Sequence, residues 1–240
     1  MSARPATWVV LAAAVALAGC SFIYDWDAEI RAGIDAAPPS ARDAAPPAAD
    51  AACATCGPDA GVNRSGCADG EREAFVDVAA QPAIAGCAGG FTVPGLLNEA
   101  APSCNRLAGD DSAAPGGAGC NASDLCAAGW HVCRTPAEVA AASSSGTCAG
   151  AVPANAPAQF FAIRQSGPGS ADCGEGANDI FGCGTLGIAP GNTCAPLDRF
   201  SNDQCIELAA PWSCGDDNIA EALNVTKPGP AAGGVLCCRD

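Results

Sequence analysis

Cysteine offers the widest range of chemistry in this chain, which has 17 cysteines and one histidine among 240 residues. Cysteine side chains form disulfides in oxidising compartments, bind zinc as thiolates, or act as nucleophiles where a neighbouring cation lowers the thiol pKa. The single histidine excludes any metal site that needs several histidines. The odd number of cysteines leaves one thiol over if all the others form pairs.

The N-terminal residues account for the odd cysteine. Arg4 precedes an apolar run over residues 7–17, and Leu17-Ala18-Gly19-Cys20 ends it. A short apolar run behind a basic residue is typical of a signal peptide rather than of a spanning helix. The last four residues resemble the lipobox of bacterial lipoproteins. This resemblance implies that Cys20 carries diacylglycerol, with palmitate-type acyl chains, and becomes the mature N-terminus in the lipid bilayer. An ordinary secretory signal, with Cys20 in a disulfide, is the alternative.

Sequence and charge also restrict the location and the partners. Ser21 follows the acylated position, as in the bacterial lipoproteins that the sequence resembles and that are sorted to the outer membrane. We therefore expect the protein to be located in the cell envelope, at the outer membrane. The formal net charge is −15, from 26 acidic and 11 basic groups, which excludes nucleic acid as a partner. No second apolar run of about 18 residues occurs, which excludes a polytopic membrane protein.

Composition divides the chain into three parts: a lipoprotein signal peptide (1–19), an acylated cysteine with a tether (20–66), and a globular domain (67–240). Within the tether, residues 36–52 consist of nine Ala, four Pro, two Asp, one Ser and one Arg. Such a segment lacks the large apolar side chains that would offset its ordering entropy, and its prolines favour an extended spacer.

Export makes disulfides the expected state of the remaining cysteines, in preference to zinc binding. The Cys53-x-x-Cys56 motif is interpreted as a structural bridge, because no strand precedes it as a redox motif requires. Fourteen further cysteines are expected to staple the domain, with a connectivity that the sequence leaves open: Cys67, Cys87, Cys104, Cys120, Cys126, Cys133, Cys148, Cys173, Cys183, Cys194, Cys205, Cys214, Cys237 and Cys238.

Two further features suggest chemistry. His131 lies two residues from Cys133, but no orienting acid or nucleophile motif accompanies it, so we assign no catalytic residue and predict a packed or surface histidine. Acidic loop residues are the better metal prospect, because calcium binds several carboxylate and carbonyl oxygens. The candidate ligands are Asp216, Asp217, Asn218 and Glu221, with a second cluster at Asp172, Glu175, Asn178 and Asp179. Solvated acidic loops are the alternative, and no other cofactor is expected.

Short elements between long loops predict an α+β fold for this small disulfide-rich domain. Thr135, Pro136 and Glu138 form a helix start, and a second capping box predicts another helix over residues 201–208. Strands are expected at residues 75–79, 130–133, 160–164 and 235–238.

The element order resembles that of C-type lectin-like and Link domains. The resemblance rests on residues 125–139, a strand followed by the Thr-Pro-x-Glu helix start, with the cysteine-bearing residues 212–238 behind them. It implies a glycan or a protein as ligand. The chain lacks the Glu-Pro-Asn or Gln-Pro-Asp tripeptide through which such domains bind calcium.

These features favour a membrane-anchored lipoprotein with a non-enzymatic domain that binds a ligand or serves as envelope structure. The alternative is an exported hydrolase, for example one that cleaves glycans with two carboxylates in a cleft.

Overall fold

The computed structural model describes residues 64–97, 99–164, 180–187, 196–197, 199–201, 205, 208–216 and 221–240, with only the backbone described at 199–201. These residues all belong to one compact unit, Thr55–Asp240. None of the helices that they form is long and apolar enough to cross a membrane.

The elements are short and follow the chain in a mixed order. They are β1 (Ile84–Ala88), a 3₁₀ helix (Ala122–Leu125), β2 (Trp130–Val132), α1 (Pro136–Ala142), β3 (Phe160–Ala162), β4 (Ile180–Gly184), β5 (Arg199–Ser201), α2 (Glu221–Asn224) and β6 (Gly233–Arg239).

The last strand, β6, lies at the centre of the sheet. On one edge it pairs antiparallel with β1, with Ile84 opposite Cys238. On the other edge it pairs parallel with β3, Phe161 opposite Gly234, and then antiparallel with β2, His131 opposite Cys238. Beyond β3, the antiparallel strands β4 and β5 complete the order β1-β6-β3-β4-β5. Segments far apart in the chain therefore meet on β6.

Both faces of the sheet are buried. Val235 and Cys237 pack in one apolar cluster, whereas Leu236 and Cys238 pack in the other, because successive side chains of a strand point to opposite faces. A strand that is covered on both sides has a continuous apolar run instead of alternation. This explains the uninterrupted apolar sequence of β6.

The two consecutive cysteines of β6 make disulfides on opposite faces of the sheet. Cys237 bonds to Cys126 and Cys238 bonds to Cys133. The other bridges among the described residues are Cys67–Cys87, Cys104–Cys120, Cys148–Cys183 and Cys205–Cys214. Twelve of the fourteen cysteines expected to staple the domain are thus paired. The other two, Cys173 and Cys194, lie outside the described residues, as do Cys53 and Cys56.

Gly233 allows β3 to approach β6 closely. Its φ of 89° is unfavourable for other residues, and a Cβ there would lie 2.2 Å from the carbonyl oxygen of Phe160. A larger residue at this position would separate the two strands at the start of their pairing.

The structure confirms the coarse expectations from the sequence. The domain is α+β and disulfide-rich, and strands occupy the expected places at β2, β3 and β6. The helix start is also correct, because the Thr135 hydroxyl oxygen accepts a hydrogen bond from the Glu138 amide at 3.1 Å and Pro136 is the first residue of α1.

Two expected elements are wrong. The strand at 75–79 is a loop, because Phe75 has a φ of 53° and Asp77 Oδ1 accepts hydrogen bonds from the amides of Ala79 and Ala80. The helix at 201–208 is absent from the described part of that segment: Ser201 belongs to β5, and Cys205 has a φ of 60°. In both places a left-handed backbone residue overrides the local pattern.

Candidate functional site

His131, the sole histidine, is held from both sides. Its Nδ1 lies 2.5 Å from Asp240 Oδ1, and its Nε2 lies 2.8 Å from Glu138 Oε1. Arg134 Nη1 also lies 2.7 Å from Nε2. Cys133 is bonded to Cys238 and presents no thiolate, so the two residues cannot form a nucleophilic pair. The contacts of His131 join β2 to α1 and to the end of β6.

A surface ion-pair network continues from this histidine. Glu99 lies between Arg164, whose Nη1 donates at 2.7 Å, and Arg134, whose Nη2 donates at 3.3 Å. The hydrogen bonds from Arg164 and then Arg134 hold the pKa of Glu99 below its ordinary value. Exposed pairs of this kind contribute little to stability, so the network mainly orients the loops around β2 and β3.

Asp124 is the best satisfied carboxylate in the described part of the chain. Its oxygens accept hydrogen bonds from the amides of Ser103, Cys104, Arg106 and Asn121 and from the Ser103 hydroxyl. Burial alone would raise its pKa, but these amides together hold the pKa below its ordinary value. The Asp124 oxygens also lie near the sulfurs of Cys104 and Cys120. Those sulfurs are bonded to each other and cannot act as thiolate ligands, so this group is structural and does not fit a metal.

The predicted calcium ligands are only partly described. Asp216 is exposed, whereas Glu221 is buried at the start of α2. Asp217 and Asn218 lie outside the described residues, and so does the second acidic cluster, Asp172, Glu175, Asn178 and Asp179. The calcium site therefore stays a prediction.

An acidic cluster that the sequence did not reveal lies around Glu73. Its Oε2 accepts a hydrogen bond from the Ala88 amide at 2.6 Å, at the end of β1. The pKa of Glu73 is raised to about 7, mainly by burial and in addition by the nearby carboxylates of Asp110 and Asp69. The hydrogen bond from the Ala88 amide opposes this rise. Burial likewise raises the pKa of Asp69 and of Asp110. The cluster forms only when the residues near 70 and 110 meet at the end of β1, which no local pattern indicates.

We expect Glu73→Gln to stabilise the domain at pH 8 but not at pH 4. Because the folded pKa exceeds the ordinary value of 4.5, the native state binds more protons than the unfolded state between pH 4.5 and 7, and stability falls as pH rises through that window. Glutamine mimics the protonated form and can still accept from Ala88. After allowance for partial exposure, the gain at pH 8 is on the order of 1 kcal/mol, or about 2–4 °C in Tm.

Thermal unfolding of wild type and variant at both pH values measures this difference. Glu71→Gln, which removes an exposed carboxylate two residues away, is the matched control and is expected to show no such pH-dependent gain. A Glu73→Gln variant that is less stable than wild type at pH 8 would contradict the assignment.

Lys227 is the only lysine of the sequence, and its side chain is fully buried. Nζ donates to the carbonyl oxygens of Gly89 at 2.9 Å and Gly229 at 2.7 Å, and it lies 5.8 Å from the ring of Trp212. Burial lowers its pKa to about 7, and the charge of Asp110 partly opposes that shift. Lys227 thus joins the loop after β1 to the loop before β6.

A surface groove with a volume of about 400 Å³ has a different character from these clusters. We call it the arginine groove, and its lining residues are Arg64, Val78, Ala79, Pro82 and Arg239. Among the residues that the structure describes, two arginines and three apolar residues line this groove, and none of them is acidic. Arg64 and Arg239 lie near opposite ends of the domain sequence, so sequence reasoning missed the groove.

The wall of the arginine groove is held by the side chain of Arg72. Its guanidinium donates to the carbonyl oxygens of Arg64 at 2.9 Å, Gln81 at 2.8 Å and Phe75 at 3.1 Å, and also to that of Ser65. The same guanidinium lies 5.6 Å from the centre of the Trp130 ring. One half-buried cation therefore holds both ends of the loop that carries Val78 and Ala79.

A second pair of hydrogen bonds joins this loop to the turn that follows α1. Gln81 Nε2 donates to Ser144 Oγ at 2.7 Å, and the Ser144 amide donates to Gln81 Oε1 at 2.9 Å. The reciprocal pair holds Gln81 next to Pro82 in the groove wall. Hydrogen bonds from side chains to the backbone, and one between two side chains, therefore hold this loop in place.

A smaller groove of about 150 Å³ lies elsewhere on the surface and is lined by Val93, Pro94, Gly95, Leu97, Ala100, Asn121 and Leu223. None of these described lining residues carries a charge. No protein-family model matches the sequence, and no solved structure matches the fold. The described residues form an α+β, disulfide-stapled domain with a surface groove that two arginines line.

Proposed function

We propose that this protein is a lipid-anchored protein of the cell envelope, sorted to the outer membrane, whose disulfide-stapled domain binds a ligand without chemical conversion. The lipobox that ends at Cys20 supports the lipid anchor. The Ala/Pro-rich tether supports a domain that is held at a distance from the membrane. The disulfides among the described residues support an oxidising compartment, because such bonds persist outside the cytosol.

The contacts of the potentially reactive side chains favour ligand binding rather than hydrolysis as the function of the domain. His131, Glu138 and Asp124 are held by structural partners, and none of the described residues that line the two grooves above is acidic. Glycoside hydrolysis would need two carboxylates that face a cleft. Sugar release from an envelope glycan by the purified protein would reverse this preference in favour of the hydrolase.

The finer fold assignment is also a proposal. We propose a divergent C-type lectin-like domain, supported by the strand and capped helix at residues 130–142, where the resemblance lies. Two disulfides tie this segment to the terminal strand, through Cys126 to Cys237 and through Cys133 to Cys238.

Cys20→Ser is expected to remove the protein from the membrane fraction of a Gram-negative host. Serine supplies no thiol for the lipid thioether, so the hydrophobic anchor is lost. Membrane fractionation with an antibody to the domain measures the change. Ser21→Ala, which leaves the four lipobox residues intact, is the control and should stay with membranes. Retention of the Cys20→Ser protein in the membrane fraction after salt and carbonate washes would contradict the anchor.

A further inference from the structure

We infer that one water molecule is bound in a small cavity between β2 and the segment after β3, where it joins the Arg164 Nε–H group to the main-chain carbonyl of Val132. We call this the Arg164 cavity, and its lining residues include Leu96, Asn121, Ala122, Val132 and Arg164. The water accepts a hydrogen bond from Nε–H and donates one to the carbonyl oxygen. This inference concerns a structural ligand and does not depend on the proposed function.

The guanidinium of Arg164 provides the first argument. Its Nη1 donates to Glu99 Oε2 at 2.7 Å, towards the surface. Its Nε, in contrast, is buried and makes no hydrogen bond with any residue that the structure describes. A donor on a charged group that is buried without a partner is costlier than a neutral one, because the charged group loses more hydration. The Nε–H group therefore requires an acceptor inside the domain.

The main chain of Val132 provides the second argument. The amide of Cys133 donates to the carbonyl oxygen of Leu236 at 2.8 Å, and Val132 lies opposite Cys237. Hydrogen-bonded and non-hydrogen-bonded pairs alternate along an antiparallel ladder, so the N–H and C=O groups of Val132 point away from β6. Val132 is buried, and neither group bonds to another residue in the described part of the chain. The free edge of β2 therefore presents a buried acceptor next to the buried donor.

The size of the Arg164 cavity and the needs of its lining select the ligand. The centre of a water molecule can occupy a volume of about 10 Å³ there, and a single bound water needs about 10–15 Å³ by the same measure. A chloride ion has no proton to donate, so it would leave the Val132 carbonyl without a partner. The Asn121 side chain is engaged elsewhere, because Oδ1 accepts from the Ser123 amide and Nδ2 donates to the Ala101 carbonyl oxygen. Water satisfies both the donor and the acceptor.

The test uses the chain from residue 20 to 240 with Cys20→Ser, exported through a cleavable signal so that its disulfides form. A high-resolution crystal structure is expected to show one water within hydrogen-bond distance of Arg164 Nε and of the Val132 carbonyl oxygen. Crystals soaked in bromide distinguish this water from an anion, because bromide gives an anomalous signal. In solution, a nuclear Overhauser effect from a long-lived water to the Val132 amide proton provides a second readout.

Arg164→Lys tests the donor. Lysine keeps a positive charge for Glu99 but has no Nε–H group in the middle of its side chain. The variant is expected to lose the water signal and to unfold at a Tm lower by about 3–8 °C, because a hydrogen bond to a charged group is lost. Arg134→Lys is the matched control: Arg134 also pairs with Glu99 and is not among the described lining residues of the cavity. It should keep the water signal, with a change in Tm of less than about 2 °C.

Three results would overturn the inference. The first is a cavity without a water, or an Nε–H group that donates to a protein oxygen instead. The second is an anomalous bromide peak at the position of the expected water. The third is a water that persists unchanged in Arg164→Lys, because Nε would then not hold it. The first two are read from the wild-type domain, so they remain decisive even where the variant does not fold.

Discussion

Removing both disulfides of β6 is expected to destabilise the domain by more than the sum of the two separate removals. The bridges Cys126–Cys237 and Cys133–Cys238 join residues that are 111 and 105 positions apart in the chain. The two bridges nevertheless start and end at residues that are close in sequence, Cys126 with Cys133 and Cys237 with Cys238. While one bridge remains, the other closes a ring of only about ten residues.

The loop-closure entropy of the unfolded chain sets the size of the effect. Breaking one bridge opens the small ring and costs about 2.5–3 kcal/mol, whereas breaking the second then frees a loop of about 100 residues and costs about 4.7 kcal/mol. The double removal therefore costs about 7–8 kcal/mol, against about 5–6 kcal/mol for the sum of the separate removals. Since a domain is stable by only about 5–15 kcal/mol, the double variant should be largely unfolded at 37 °C.

Urea unfolding of three alanine variants measures this coupling: Cys126→Ala with Cys237→Ala, Cys133→Ala with Cys238→Ala, and all four together. Removal of Cys104 and Cys120, whose bridge spans 16 residues, provides the control for a bridge that closes its own loop, at about 3 kcal/mol. Additive losses in the quadruple variant would show that the two bridges do not share one constraint.

Lys227→Met is expected to destabilise the domain strongly while every disulfide stays intact. Methionine retains the apolar stem, but the carbonyl groups of Gly89 and Gly229 lose their buried donor. Two unsatisfied carbonyls of this kind cost about 2–4 kcal/mol together. The local loss of stability should be greatest in the loop after β1 and in the loop before β6, which Lys227 joins.

The effect of Lys227→Met should depend on pH with a defined sign. Burial lowers the folded pKa to about 7 from an ordinary value of 10.5, so between these values the unfolded state binds more protons than the native state. Wild-type stability attributable to this group therefore rises with pH above 7. The difference between wild type and Lys227→Met should consequently be greater at pH 9 than at pH 6.

Urea unfolding at the two pH values provides the measurement. Because Lys227 is the sole lysine, its titration can also be followed directly by the NMR signal of its Nζ and neighbouring methylene. Glu71→Gln, at an exposed position, is a suitable control for the pH dependence of the rest of the domain. A penalty that shrinks between pH 6 and pH 9 would contradict the burial of a charged amine.

The sequence predicted those elements whose signals are local. The Thr135 cap and Pro136 fix the start of α1 without help from other segments, and the apolar run at residues 235–238 marks β6. Strand β1 went unnoticed because its sequence, Ile84-Ala85-Gly86-Cys87-Ala88, has small side chains and no alternation. It is a strand because β6 pairs with it and both of its faces are covered.

The candidate site could not be predicted because it is made by non-local contacts. The pairing of β6 with β1 brings Arg239 to the groove, and the hydrogen bond from the Arg72 guanidinium to the Arg64 carbonyl oxygen helps to hold Arg64 there. The opposite directions of the Cys237 and Cys238 bridges were, in contrast, accessible: consecutive residues of a strand point to opposite faces. Disulfide partners still required the three-dimensional arrangement.

The most direct test of the proposed function is the intact mass of the mature protein, extracted from membranes and alkylated under denaturing, non-reducing conditions. The account predicts a chain that begins at Cys20, carries a diacylglycerol-type lipid there, and has no cysteine that reacts with the alkylating reagent. An unmodified N-terminus, or a chain with many alkylated cysteines, would contradict the proposal of a lipid-anchored, disulfide-stapled binding protein.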